Sequence, residues 1–318
     1  MLNLGMLLLG LGLLVLGADW LVKGGVGLAR RRRVSPLVVG LTVVSFGTSL
    51  PELVVSFSAG LQHNADLAIA NVIGSNIFNV LVVIGVAAII RPLPVRDQTV
   101  VTEIPFSLTA ALLVGFLANA ALFTSRPDLI ISRLDGLILL IFFLFFMLYV
   151  FKVARANGDE PIDEPVVLSQ FKAWALIGAG VLGLYAGGEL AVAGAVGVAQ
   201  ALGVNDALIG LTIIAAGTSA PELVASAVAA YRGQTDIAVG NVVGSNIFNL
   251  LWIIGLTATV SELPFDVVSN TDLVMVIGAS ALLIVALITS RRSVLNRIHG
   301  VLFVLIYIAY LAFVVHRG

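Results

Sequence analysis

Residues 40–85 read GLTVVSFGTSLPELVVSFSAGLQHNADLAIANVIGSNIFNVLVVIG, and residues 210–255 read GLTIIAAGTSAPELVASAVAAYRGQTDIAVGNVVGSNIFNLLWIIG. The two stretches align without a gap at an offset of 170 residues, and 25 of the 46 aligned positions are identical. Both copies keep a GTSxPE block and a GSNIFN block. Each block places hydroxyls, amides or a carboxylate inside an otherwise apolar segment, which is unfavourable unless those polar atoms have a role. The rest of the chain is organised around this duplicated pair.

The composition is that of an integral membrane protein. The 318 residues are 59% hydrophobic and 11% charged, with a mean hydropathy of +1.10, whereas a soluble domain carries about 25% charged residues. The absence of Cys excludes disulfides and thiolate chemistry. The first apolar segment starts at Leu2 without a basic region before it, which indicates a retained helix rather than a signal peptide. The predicted fold class is therefore an all-α membrane protein.

Ten apolar segments are long enough to cross a bilayer, which takes about 20 residues per helix. They lie at about 2–28, 37–61, 66–90, 100–124, 132–152, 170–200, 207–231, 236–260, 270–290 and 294–316. We assign 1–152 as a first five-helix repeat, 153–169 as a cytoplasmic linker and 170–318 as a second five-helix repeat. Because five is odd, the two repeats must have opposite orientations in the membrane. Inverted repeats with broken helices and a site at the midplane are typical of secondary transporters.

The basic residues predict the orientation of the chain. If the loop containing Arg30–Arg33 is cytoplasmic, thirteen Lys and Arg residues fall on the cytoplasmic side and three on the other. The loop at 261–272, which is acidic and has no basic residue, then falls outside. We therefore expect a multi-pass protein of the inner (plasma) membrane with both termini outside.

The GTSxPE block predicts a break in the second span. Pro51 cannot donate a backbone hydrogen bond, so the carbonyl of Gly47 loses its helical partner. Irregular backbone at membrane depth is tolerated only inside protein or along a wet cavity. Glu52 follows, with Ser49 and Thr48 three and four positions before it, so the three side chains share a face. The second copy repeats this pattern at Gly217, Thr218, Ser219, Pro221 and Glu222.

These groups are hard oxygen donors, which suit Na⁺ and Ca²⁺ rather than soft metals. A Glu at the centre of a membrane helix costs about 2.5–3.5 kcal/mol on insertion scales, and packing needs no carboxylate. The GSNIFN region adds Asn71, Ser75 and Asn79 at i, i+4 and i+8, one stripe that we expect to face the break. The second copy of the stripe is Asn241, Ser245 and Asn249.

Other polar residues have simpler explanations. Small polar side chains often serve only to pack membrane helices. That explanation and a site role are both open for Asn71, Asn76, Asn241 and Asn246, and packing is favoured for Ser56 and Ser226.

Four acidic residues outside the blocks also have local explanations. Asp19 and Glu189 could belong to an ion path, but helix-end positions or local pairing explain them, with Lys23 as a partner for Asp19. Asp66 and Asp236 are expected to be N-caps of the helices that follow.

At GTSLPE, GTSAPE and the two GSNIFN blocks the sequence resembles the cation/Ca²⁺ exchanger superfamily, specifically its prokaryotic sodium/calcium antiporters, and the similarity extends over nearly the whole chain. The resemblance implies ten helices in two inverted repeats, with ion sites between the second, third, seventh and eighth. It implies that Glu52 and Glu222 ligate both Ca²⁺ and Na⁺. It implies further ligands at Thr48, Ser49, Ser75, Asn79, Thr218, Ser219, Ser245 and Asn249, with backbone carbonyls near Ser45 and Ala215.

The chain departs from the family pattern at one position. Many relatives end the second GSNIF block with Asp, and this chain has Asn249. The further acidic ligand of the K⁺-dependent branch is not found, which argues against K⁺ coupling.

The leading hypothesis is a secondary antiporter, not an enzyme, that exchanges Na⁺ for Ca²⁺ through one shared site and is electrogenic. One alternative is H⁺/Ca²⁺ antiport by the same two Glu, and a remoter one is a passive cation channel. The expected partners are Ca²⁺, Na⁺ and the lipid bilayer. We expect no organic cofactor, no nucleic acid and a monomer.

Overall fold

The computed structural model describes residues 2–123, 128–156, 168–202 and 215–317, which are almost entirely helical. In chain order the helices are α1 (Leu2–Arg32), α2 (Pro36–Val39), α3 (Ser45–Thr48), α4 (Leu50–Leu61), α5 (Ala65–Phe78), α6 (Ile84–Ile90), α7 (Asp97–Val101), α8 (Glu103–Ala118), α9 (Arg133–Ala156), α10 (Gln170–Ala201), α11 (Ala215–Gly217), α12 (Ala220–Tyr231), α13 (Thr235–Ile247), α14 (Ile254–Val260), α15 (Ser269–Thr289) and α16 (Arg297–Arg317). π-helical turns at Gly40–Val44, Asn79–Val83 and Phe248–Ile253 join α2 to α3, α5 to α6 and α13 to α14. Short 3₁₀ turns lie at Ala120–Leu122 and Arg291–Ser293.

Within the described residues, eight helices are long and apolar enough to span a membrane, and α2–α4 makes a ninth if the bent pair counts as one span. The predicted 236–260, for example, is Thr235–Val260, and the largest difference is at the predicted 100–124, which is Asp97–Ala118. The predicted segment 207–231 begins outside the described residues, and α11 and α12 are its described part. The all-helical membrane fold is thus confirmed, whereas the count of ten spans stays a prediction.

The predicted break in the second span is present. Helices Pro36–Thr48 and Leu50–Leu61 meet at an angle of 51°. Ser49 lies between them with φ −85° and ψ 10°, and Pro51 occupies the first turn of α4, where its missing N–H leaves no internal hydrogen bond unmade. The second half repeats the arrangement, because Ser219 has φ −89° and ψ 5° and precedes the first turn of α12, which contains Pro221.

Two short antiparallel strand pairs join the halves. β1 (Leu93–Pro94) pairs with β4 (Val294–Leu295), and β2 (Ile130–Ile131) pairs with β3 (Leu263–Pro264). Each pair therefore links a loop of the first half to a loop of the second. If the spans alternate as predicted, each pair joins two loops on the same side of the membrane, as the orientation requires.

The buried fraction of the membrane-spanning helices falls from the centre of the molecule to its periphery. In the apolar stretch of Thr235–Val260, 94% of residues are buried, against 11% in that of Arg297–Arg317. The repeated blocks therefore lie at the centre of the molecule.

Helices α1 and α10 pack along a seam of glycines at every seventh residue. The seam consists of Gly10, Gly17 and Gly24 on α1 and of Gly180, Gly187 and Gly194 on α10. A Cβ on Gly17 would lie 2.7 Å from the Leu184 nitrogen, and one on Gly187 would lie 2.7 Å from the Leu14 nitrogen. The two backbones are therefore in direct contact, as small residues allow in membrane helices.

The prediction that Asp66 and Asp236 are N-caps is wrong. The cap of α5 is Asn64, whose side chain accepts from the Leu67 N–H, and Asp66 lies in the first turn. Gln234 precedes α13 without a side-chain cap, and Asp236 instead pairs with Arg96 at 3.0 Å. Both carboxylates lie in the first turn of a helix, where a negative charge interacts favourably with the helix dipole. They therefore mark the starts of these helices without capping them.

Candidate ion-binding site

Glu52 is completely buried at the start of α4. Its Oε1 accepts a hydrogen bond from Ser219 Oγ at 3.0 Å and another from Ser75 Oγ at 3.3 Å. Ser219 Oγ is also 3.0 Å from Ser75 Oγ. Pro51 and the break place the carboxylate beside the second half of the chain, so its shortest hydrogen bond comes from the other repeat.

Glu222 has the same environment with the halves exchanged. It is completely buried at the start of α12. Its Oε1 accepts from Ser49 Oγ at 2.8 Å and from Ser245 Oγ at 3.5 Å. The predicted group of carboxylates and hydroxyls is therefore one cluster in the middle of the molecule.

Reciprocal contacts of this kind indicate a pseudo-two-fold axis through the cluster, because in a two-fold interface residue i contacts j and j contacts i. Thr48 Oγ1 donates to Asn241 Oδ1 at 3.1 Å, and Thr218 Oγ1 donates to Asn71 Oδ1 at 3.3 Å. Equivalent side chains of the two halves thus make equivalent contacts across the centre.

The four asparagines of the GSNIFN blocks follow the same rule. Asn79 Nδ2 donates to Asn246 Oδ1 at 3.1 Å, and Asn249 Nδ2 donates to Asn76 Oδ1 at 3.2 Å. Asn249 Nδ2 also lies 3.1 Å from Ser75 Oγ. Asn76 and Asn246 therefore orient the side chains of Asn79 and Asn249. The side-chain Nδ2 atoms of Asn79 and Asn249 donate hydrogen bonds, whereas their Oδ1 atoms accept none from a described residue.

Four buried oxygens of this cluster receive no hydrogen bond from any described residue. They are Glu52 Oε2, Glu222 Oε2, Asn79 Oδ1 and Asn249 Oδ1. Buried oxygens without a donor are rare and costly in folded proteins. All four belong to the residues that the sequence predicts as ligands, and the set is symmetric, two oxygens from each half. Such a set of hard, unpartnered oxygens suits a Na⁺ or Ca²⁺ ion.

Asn71 and Asn241 support the backbone of the glutamates. Asn71 Nδ2 donates to Ser56 Oγ at 2.8 Å and to the Glu52 carbonyl at 3.3 Å. Asn241 Nδ2 donates to Ser226 Oγ at 2.9 Å and to the Glu222 carbonyl at 3.5 Å. For Ser56 and Ser226 these hydrogen bonds agree with the packing role that the sequence favours. Asn71 and Asn241 join their own helices to the helices that carry Glu52 and Glu222.

The two predicted backbone ligands, the carbonyls near Ser45 and Ala215, lie in different surroundings. The carbonyl of Ser45 accepts from the Ser49 N–H at 3.0 Å and from Thr48 Oγ1 at 3.3 Å, so it lies at the break with two donors already near it. Ala215 begins α11, directly after residues 203–214, which lie outside the described part of the chain.

The site contains two acidic groups and neutral oxygens. Among the described residues, no group of three or more His, Asp or Glu side chains could hold a metal ion. When both are ionised, the two carboxylates of the cluster carry a charge of −2, and the other proposed ligands are neutral oxygens.

Two buried carboxylates were missed by sequence reasoning. Asp135, 2% exposed, is explained locally, because its Oδ2 accepts from the Ser132 N–H at 2.9 Å and from Ser132 Oγ at 2.6 Å. Glu103, 1% exposed at the start of α8, accepts from Tyr149 Oη at 2.7 Å, and its Oε2 receives no bond from a described residue. It belongs to no repeated block, so no sequence pattern marked it. Its described side-chain hydrogen bond is to Tyr149, which does not belong to the cluster.

The fold and this cluster define a membrane transporter for small inorganic cations, and comparison with known proteins agrees. The family described as "Sodium/calcium exchanger protein" matches residues 2–152 and 172–316. The putative antiporter CaxA of Alkalimonas amylolytica is 36% identical over 298 residues, 90% of each chain. The sodium/calcium exchanger MaX1 of Methanosarcina acetivorans is 31% identical over 338 residues, 96% of each chain.

A solved structure of the sodium-calcium exchanger NCX_Mj soaked with Na⁺ and Ca²⁺ superposes with a TM-score of 0.81 at 33% identity, over 98% of each chain. The chain belongs to the sodium/calcium exchanger family. It is a cation/Ca²⁺ exchanger of the membrane, not an enzyme.

Proposed function

We propose that this protein is an antiporter that exchanges Na⁺ for Ca²⁺ by alternating access at a single site formed by Glu52 and Glu222. The observation that carries the proposal is the symmetric set of four buried oxygens without donors, two of them from these carboxylates. The proposed ligands are the two glutamates together with Thr48, Ser49, Ser75, Asn79, Thr218, Ser219, Ser245, Asn249 and the carbonyls near Ser45 and Ala215.

Charge explains why one site serves two ions. Two ionised carboxylates carry −2, which one Ca²⁺ neutralises. Na⁺ ions must use the same oxygens, so the two cations compete and cannot load together. If three Na⁺ replace one Ca²⁺, the loaded site is positive and each cycle moves net charge. Exchange is then electrogenic.

Na⁺ rather than H⁺ is the proposed driving ion because of the neutral donors. A proton needs only a carboxylate, whereas the hydroxyls of Ser49 and Ser219 and the amide oxygens of Asn79 and Asn249 are suited to coordinate a metal cation. H⁺/Ca²⁺ antiport by the same carboxylates is the second candidate. A passive channel is disfavoured because channel filters usually consist of rings contributed by several subunits or loops.

Flux in proteoliposomes tests the driving ion. We expect ⁴⁵Ca²⁺ uptake to follow an imposed outward Na⁺ gradient at equal pH on both sides. A K⁺ gradient, with Na⁺ absent, is expected to drive no uptake. Uptake driven by a pH gradient and indifferent to Na⁺ would replace the proposal with H⁺/Ca²⁺ antiport.

Neutralising either carboxylate tests the site. We expect Glu52→Gln and Glu222→Gln each to abolish Na⁺-dependent Ca²⁺ flux, because the remaining single charge cannot balance Ca²⁺. The matched control is Glu103→Gln, which removes another buried carboxylate outside the cluster and should retain flux. Normal flux in both site variants would refute the assignment.

The proposed topology has ten spans in two inverted halves, with both termini outside the inner (plasma) membrane, and the proposed unit is a monomer. Because the native chain has no Cys, single cysteines report the topology directly. An impermeant maleimide should label Arg31→Cys only from the cytoplasmic side and Glu262→Cys only from the outside. Labelling of both from one side would contradict the orientation.

A further inference from the structure

Asp19 of α1 and Glu189 of α10 occupy equivalent positions in the two halves, 170 residues apart, yet their surroundings differ. Asp19 Oδ2 lies 2.7 Å from Lys23 Nζ, and Asp19 Oδ1 pairs with Arg232. The positions equivalent to these two cations are Ala193 and Gln62, which carry no charge. The two halves therefore differ at this pair. Asp19 is paired with two basic side chains, and Glu189 has no basic residue at either equivalent position.

Glu189 lines a cavity that leads toward the ion site. The cavity has a volume of about 330 Å³ and is bounded by Glu189 and Tyr185 of α10, by Pro51 of α4, and by Thr218 and Pro221 at the second break. Thr218 is followed directly by Ser219, which donates to Glu52. Glu189 is itself exposed and lines the same cavity as Thr218, a proposed ligand.

The equivalent threonine in the other half is buried. Thr48, the counterpart of Thr218, is 0% exposed, whereas Thr218 is partly exposed. Helix α1 packs along α12, and Asp19 pairs with Arg232, the residue that follows α12. The two sides therefore differ: the Glu189 cavity reaches Thr218, whereas on the Asp19 side a cavity of about 530 Å³ borders Lys23 and Arg232 and Thr48 is buried.

We propose that Glu189 is a recruiting residue, a transit point at which hydrated cations gather in the open cavity before they reach Glu52 and Glu222. A carboxylate in a cleft with low-dielectric walls raises the local concentration of counter-ions. A divalent ion gains twice the Coulomb energy of a monovalent ion at the same point. A single exposed carboxylate holds neither ion tightly, so it speeds loading without trapping the ion. The inference rests on the proposed exchange function and adds a residue outside the site.

Ca²⁺ uptake by Glu189→Gln tests the proposal in proteoliposomes of defined orientation. We expect the KM for Ca²⁺ presented on the Glu189 side to rise roughly two- to fivefold at low ionic strength, from Coulomb's law in water at about 10 Å. The maximal rate should not change, because the cluster that binds the ion is intact. The KM difference should disappear at about 1 M choline chloride, where the screening length is about 3 Å.

Further variants separate electrostatics from packing. Glu189→Lys should raise the KM beyond the level of Glu189→Gln, and Glu189→Asp should restore most of the wild-type value. Glu262→Gln, which removes an exposed carboxylate outside the cavity, is the matched control and should leave the KM unchanged. Uptake from the Asp19 side should be the same in wild type and Glu189→Gln.

The proposal is overturned if Glu189→Gln has the wild-type KM at low salt, or if its maximal rate falls while its KM does not change. A KM increase that persists at high salt, or that equals the effect of Glu262→Gln, also overturns it. These outcomes are distinct from failure of the proposed function, in which the wild-type protein itself shows no Na⁺-driven Ca²⁺ flux.

Discussion

The serine that bonds each glutamate from the opposite half offers a sharp test of the site. Ser219→Ala removes the donor that lies 3.0 Å from Glu52 Oε1 and leaves only Ser75 Oγ at 3.3 Å. The hydroxyl can donate to the carboxylate while its lone pair faces a bound cation. The alanine therefore loses both an orienting hydrogen bond and a ligand, and we expect weaker Ca²⁺ binding.

The size of the loss follows from the kind of hydrogen bond. A hydrogen bond to a charged group contributes about 1.5–3 kcal/mol, and about 1.4 kcal/mol corresponds to a tenfold change in affinity. The expected KM for Ca²⁺ in Na⁺-driven uptake is therefore roughly 10- to 100-fold above wild type. Ser49→Ala should behave alike, because Ser49 makes the equivalent 2.8 Å bond to Glu222.

Ser56→Ala is the matched control for this measurement. Ser56 is 1% exposed on the same helix as Glu52, but its hydroxyl accepts from Asn71 and makes no described contact with a carboxylate. We expect a KM within about twofold of wild type and some loss of thermal stability, of the order of 1 kcal/mol. A ligand role for Ser219 is refuted if Ser56→Ala weakens Ca²⁺ uptake as much as Ser219→Ala, or if Ser219→Ala leaves uptake unchanged.

Two further predictions concern the membrane potential and the glycine seam. If one net charge moves per cycle, 100 mV contributes about 2.3 kcal/mol, so clamping the potential with valinomycin and K⁺ should shift the equilibrium Ca²⁺ ratio roughly fiftyfold; a ratio independent of potential would mean electroneutral exchange. Gly187→Ala places a Cβ 2.7 Å from the Leu14 nitrogen and should destabilise the protein by about 1–3 kcal/mol, measured by thermal unfolding in detergent. Gly178→Ala on the same helix has nothing within 4 Å of its Cβ and should be close to neutral, so equal losses in both would contradict the packing argument.

The sequence was sufficient for the membrane-spanning helices that the structure describes and for the break, because both have strong local causes. Long apolar runs report membrane crossing, and Pro51 removes a helical donor regardless of its surroundings. The stripe of Asn71, Ser75 and Asn79 was also readable, since helical periodicity alone places these residues on one face. In the structure, Asn71 and Ser75 contact Glu52, as expected of a stripe that faces the break.

The sequence could not predict which individual side chains of the two halves contact each other. Whether Asn76 orients a proposed ligand or only packs depends on the partner it meets, here Asn249, 173 residues away. The cap of α5 was misassigned because Asn64 and Asp66 both fit the start of a helix and only the backbone geometry decides between them. The difference between Asp19 and Glu189 arises from residues on other helices, which no local pattern reveals.

Each glutamate is bonded most closely by a serine of the other half, and this exchange of donors has an evolutionary consequence. One repeat by itself supplies a single carboxylate and lacks the nearest hydroxyl that fixes it. If the two halves are inverted as proposed, a shorter ancestral chain carrying one repeat would have been complete only as a homodimer whose two copies were inserted in opposite directions. Gene fusion would then have made that pairing obligatory, after which the copies were free to diverge at positions such as Asp19 and Glu189.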